Sequence, residues 1–118
     1  MNWKEDGWKV TAILRQLYSA KSRWEHYVKT TTTALERKRI ELPIHQNWES
    51  KYSNDYDLDW SKPSLKCSGE ISELEARLKR ESEEAANWQK IVEFTAEKFD
   101  VELYKNAEGL DAWKPKAE

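Results

Sequence analysis

Glycine and proline occur only three times each in 118 residues, and cysteine once. So little punctuation leaves few tight turns for a small β-sandwich or barrel, and it favours long uninterrupted helices. The lone Cys67 excludes an intramolecular disulfide and suits a reducing compartment, a Cys67-linked dimer being the covalent alternative. Three scattered glycines build neither a phosphate-cradling loop nor a nucleophile elbow. His26 and His45 are the only histidines, and no spacing among them and Cys67 makes a tetrahedral zinc site. Asp55-Tyr56-Asp57-Leu58-Asp59 resembles the start of a calcium loop, but Trp60 stands where the loop needs glycine and Lys66 where it needs the closing glutamate. No metal and no cofactor are therefore expected.

Long apolar runs are missing too. None approaches the roughly 20 residues of a membrane span, and Met1 to Asp6 lacks the basic-then-apolar form of a signal peptide. The expectation is a soluble cytoplasmic protein with no membrane contact. Carboxylates are plentiful, but acid–base work needs them converging in a pocket, which a helical hairpin does not obviously offer, so an enzyme is not expected.

What the chain does have is charge and tryptophan. Charged residues make up 36% and hydrophobic residues 38%, yet seven tryptophans and five tyrosines argue against disorder, since disordered chains are poor in aromatics. Ile71, Leu74, Leu78, Ala85, Trp88, Val92 and Phe99 keep an alternating three-and-four spacing, which predicts a helix over about 69–106 with an apolar seam. Trp3, Val10, Leu14, Leu17, Trp24, Val28 and Leu35 keep the same spacing, with Gly7, Lys21, Thr31 and Lys38 in the gaps and Ile13, Tyr18, Tyr27 and Ala34 widening the stripe. They predict a first helix over about 4–41, ended by the restriction Pro43 places on Leu42. Ser68, or Ser72 with Glu75, offers a cap for helix two, and Asn106 with Gly109 a stop.

Residues 1–42 carry nine Lys/Arg against five Asp/Glu, and 69–106 carry six against ten, which suits two helices side by side. In an antiparallel register that sets Trp24 opposite Trp88, the polar interruptions Thr31 and Glu81 fall at one level. A shared polar layer costs less than two separate ones and fixes register. The predicted fold is all-α: one domain over 1–118, two long antiparallel helices forming a coiled-coil-like hairpin, a structured aromatic insertion over 43–66 and a tail over 107–118. Wide stripes on so few helices call for a further layer, either the 43–66 segment folded back or a homodimer making a four-helix arrangement.

Within the insertion Trp48, Tyr52, Tyr56 and Trp60 recur every fourth residue, while Tyr56 to Trp60 also alternates with period two. A short helix near Gln46–Tyr52 followed by an extended piece reconciles both. The functional reading is a recognition tip for another protein, with Trp48, Tyr52, Tyr56 and Trp60 as anchors and Asp57 and Asp59 as an acidic rim. The plainer reading is an aromatic mini-core, and it weighs slightly more for Trp48 and Trp60. Arg23, Lys29, Arg37, Lys38 and Arg39 form a basic section that suits phosphate contact, although pairing with the acidic second helix explains it without a ligand. The leading expectation is a non-enzymatic module that binds and modulates or inhibits another protein, with a nucleic-acid-associated protein as the alternative. Small adaptors, chaperone-like proteins and inhibitors, phage accessory proteins among them, are built this way, which is analogy of architecture alone.

Overall fold

Two helices hold most of the residues described by the computed structural model, 3–52 and 59–116. Helix α1 runs Trp3–Lys51, helix α2 runs Ser61–Lys98, and strands β1 (Val101–Lys105) and β2 (Asp111–Pro115) follow. The seam residues predicted for both helices point inward wherever their side chains are described. Val10, Leu14, Leu35 and Val92 are buried, Trp24, Leu74, Leu78 and Trp88 are half-buried, and Lys21, Thr31 and Lys38 fill the gaps as expected. Ile13 and Tyr27 are exposed, so the stripe on α1 is narrower on that side than predicted.

Three expected boundaries are corrected. Helix α1 does not stop before Pro43 but carries it inside, on to Lys51. The proline leaves the Arg39 carbonyl without its intrahelical donor, a loss of about 3 kcal/mol in a helix interior. Because the ring lies on an exposed position, that carbonyl can turn to solvent, while half-buried Leu42 and His45 hold the helix on either side of it. Glu41 bridges the same turn, 2.9 Å from His45 and 3.4 Å from Lys38.

Helix α2 starts at Ser61, ahead of both predicted caps. Asp59 supplies the cap, accepting the Ser61 amide at 3.1 Å, and Pro63 falls in the first turn, where a missing N–H costs nothing. Helix α2 also ends early, at Lys98, and the chain beyond it is not helical tail but an antiparallel hairpin pairing Val101 with Pro115 and Lys105 with Asp111. Asp100 makes the break with φ 53°, a left-handed conformation that Asp and Asn tolerate better than other non-glycine residues. Asn106 and Gly109 build the hairpin turn: the Asn106 side chain accepts the amides of Glu108 and Leu110 at 2.9 and 3.0 Å, and Gly109 takes φ 78°. The fold is thus mostly helical with a small two-stranded sheet.

Packing separates into two units, 1–25 with 83–118, and 26–82. In the first, Val10, Leu14, Ala96 and Val101 form a core, with Leu17, Tyr18, Phe99, Leu103 and Trp113 packed against it. The Trp113 ring stacks on Tyr18 at 5.4 Å, and its Nε1 lies 3.5 Å from the Thr11 hydroxyl. In the second, Leu35 and Cys67 are buried together with the polar Thr31, Ser64 and Glu81. The predicted polar layer is present: the Thr31 hydroxyl donates to Glu81 at 2.7 Å, and Arg77 Nε donates to the other carboxylate oxygen at 2.6 Å.

Candidate functional site

The unit spanning 26–82 carries most of the residues singled out in the sequence. Ile40, Ile44 and Trp48 on α1, and Tyr52 in the turn that follows it, recur every fourth residue and are 70%, 47%, 44% and 39% exposed, an apolar ridge along the helix. On α2, Leu65 is 70% exposed. Single exposed apolar side chains are ordinary, but a helical row of four is a patch of the kind that marks an interaction surface. The ridge exists because α1 continues through Pro43; had the helix ended at Leu42, Ile44 and Trp48 would not share a face with Ile40.

Of the six predicted anchors and rim residues, Trp48 and Tyr52 belong to this ridge. Trp60 is half-buried, its ring 4.9 Å from that of Tyr52, and its Nε1 is buried with no partner among the described residues. Asp59 is spent on capping α2, and the Ser61 hydroxyl and amide beside it hold its carboxyl below the usual carboxylate range. Tyr56 and Asp57, with most of the predicted extended piece, lie outside the described residues.

Beside the ridge, Lys38, Glu41, His45, Lys62, Pro63, Lys66, Cys67 and Glu70 line an open cleft of about 370 Å³. Lys38 Nζ sits 2.6 Å from Glu70 and 3.4 Å from Glu41, and its pairing with Glu70 raises its pKa. Glu41 is shifted down, first by His45 and then by Lys38. His45 therefore turns Nε2–H toward an ionised carboxylate, while its Nδ1 is buried without a partner among the described residues. Cys67 is 2% exposed, with Sγ 3.4 Å from the Lys38 carbonyl, and burial pushes its thiol up. A protonated, buried thiol is a weak nucleophile and is not placed to link two chains. Among the described residues no group of three or more His, Cys, Asp or Glu side chains is arranged to hold a metal ion. No described helix is long and apolar enough to cross a membrane.

The basic section is only partly free. Lys38 is engaged with Glu70 and Glu41, and Arg39 lies 3.4 Å from Glu75 on α2, while Lys29 and Arg37 are exposed. Arg23, also exposed, belongs to the other unit.

That other unit holds a polar cluster the sequence reading missed. Asp111 binds Lys105 at 2.6 Å and Lys21 at 3.3 Å, beside the Tyr18–Trp113 stack. Lys105 is the main cause holding the Asp111 carboxyl down, and burial is the main cause raising the Tyr18 hydroxyl. The signal available was the alternation Val101, Leu103, Lys105 before a glycine-containing turn, which reads as a hairpin strand.

Compared with known proteins, the chain matches no family model, no curated protein and no solved structure.

Proposed function

We propose that the chain is a protein-interaction module, and that the ridge Ile40–Ile44–Trp48–Tyr52 is the surface it uses. The observation that carries this reading is the exposure of four large apolar side chains in one helical row. Exposing them costs on the order of 1.5–3 kcal/mol per side chain relative to full burial, and a partner with an apolar groove recovers part of that. Trp48 and Tyr52 are of the residue types that anchor interfaces. The pairing of Lys38 and Arg39 with α2 weighs against a phosphate-binding role for the basic section. Modulation or inhibition of the bound protein is the expected outcome of capture.

The test is capture of a defined protein from a cell extract by the immobilised chain, identified by mass spectrometry. The double variant Trp48→Ala with Tyr52→Ala is expected to lose it at unchanged helicity. Equal capture by that variant overturns the reading.

A further inference from the structure

Beyond Pro43 the 26–82 unit is held together differently from the rest. Upstream of the proline, α1 is tied to α2 by Thr31 to Glu81 at 2.7 Å, Lys38 to Glu70 at 2.6 Å and Arg39 to Glu75 at 3.4 Å, and Thr31 and Leu35 are buried. From Ile44 to Tyr52 no residue is buried, His45 and Glu49 reaching half-burial, and no ion pair joins this stretch to α2 among the described residues. The Tyr52 ring meets that of Trp60 at 4.9 Å instead. Glu41 spans the proline to His45, but that bridge stays within α1.

The same end collects unpaired polar atoms. His45 Nδ1, Trp60 Nε1 and Ser64 Oγ are buried without a partner among the described residues, and they come from the two segments that face each other here, since His45 and Pro63 line one cleft. A buried donor or acceptor that has given up water for no partner weighs against the closed arrangement, and opening relieves it. Pro43 sets where such an opening stops. The Arg39 carbonyl lacks its intrahelical donor, so residues 44–51 are joined to the long upstream helix by one hydrogen bond fewer. Once released from α2, that stretch is shorter than the roughly 12–15 residues an isolated helix needs in water, and it does not stay helical.

We infer that the stretch 44–52 is a clasp hinged at Pro43, which lifts from the start of α2 and loses its helix as one unit while 26–42 stays packed. Openings of this kind draw on the parts of a structure with the least buried apolar contact. The hinge also divides the apolar row: Ile40 lies before it and Ile44, Trp48 and Tyr52 after it, so the row is whole only in the closed form. A ligand of the whole row must favour closure, and one that needs the parted surfaces must favour opening. The clasp itself needs no partner and stands apart from the interface reading.

Amide hydrogen exchange of the full chain, read residue by residue by NMR, tests it. Protection is expected to be high over 27–41 and to fall by about tenfold or more in one step at Pro43, with 46–51 sharing a common opening constant. Pro43→Ala, which returns the missing donor to the Arg39 carbonyl, is expected to remove the step and slow exchange over 46–51 by about tenfold or more. Ser64→Ala, which deletes a buried hydroxyl without a partner, is expected to slow the same amides by about twofold to tenfold. Protection that runs evenly through Pro43 overturns the inference. So does a gradual decline toward Lys51 that Pro43→Ala leaves in place, which is ordinary fraying of a helix end, and so does unchanged or faster exchange in Ser64→Ala. No partner is present in this experiment, so its failure leaves capture of another protein by the ridge untouched.

Discussion

The two packing units solve the same problem with different chemistry. In the unit of 1–25 and 83–118, a β-hairpin is laid on two helices, and four side chains, Val10, Leu14, Val92 and Val101, reach essentially complete burial. In the unit of 26–82 two helices face each other with no third element among the described residues to cover them, and three of the five buried residues are polar: Thr31, Ser64 and Glu81 beside Leu35 and Cys67. The lesson is that a two-helix seam buries too little apolar surface to be closed by packing alone. One unit adds a layer. The other spends its central position on a hydrogen-bonded layer that sets register and leaves apolar surface on the outside.

The sharpest way to break that contrast is Leu14→Ala. The side chain is fully buried in the better-packed core, so the substitution should cost about 2–5 kcal/mol and lower the thermal midpoint by many degrees, read by circular dichroism. A loss under about 1 kcal/mol would mean that the hairpin-covered core is no tighter than the bare seam. Next in size is the polar layer. Glu81→Ala leaves the Thr31 hydroxyl buried without an acceptor and should cost about 1–3 kcal/mol, whereas Thr31→Val with Glu81→Leu, which removes both polar groups, should be near neutral or stabilising. If the double variant is as unstable as the single one, the layer contributes more than register.

The smallest effect is a pH dependence confined to the hairpin. Asp111 is held below its ordinary value by Lys105 and, after the opposing effect of burial, by Lys21. A folded pKa below the unfolded one means that the stabilisation is complete above the unfolded value of about 4 and fades as pH falls through the folded value. Trp113 fluorescence should therefore report a loosening of the hairpin in acid below about pH 4, and Asp111→Asn should flatten that dependence. An unaltered acid profile in the variant would place the responsible group elsewhere.

How much of this the amino-acid order reveals depends on which physical signal each element leaves. The seams are legible because burial imposes a period: Leu74, Leu78, Trp88 and Val92 on α2 and Val10, Leu14 and Leu35 on α1 all turn inward. The Thr31–Glu81 pairing is legible because two interruptions had to coincide. The continuation through Pro43 is not, since the local bias against helix before proline is a modest preference that half-buried Leu42 and His45 and the Glu41 bridges along α1 override. The β-hairpin is lost for a similar reason: five-residue strands carry a weak period, and Phe99 and Leu103 extend the helical spacing of α2 by chance into residues that alternate. The ridge is hidden by that misplaced helix end, and the 43–66 segment, expected as a separate aromatic insertion, is in large part helix where it is described.

The hairpin closes contacts between segments far apart in the chain, Lys21 with Asp111 and Thr11 with Trp113, across separations of 90 and 102 residues. During synthesis at roughly 5–20 residues per second, the partners within 26–82 emerge well before Val101 and Trp113 do. For several seconds the nascent stripe of Val10, Leu14 and Tyr18 has been made and its cover has not. That stretch of α1 waits for a cover encoded far downstream, which gives a chaperone or a slow ribosome something to shield.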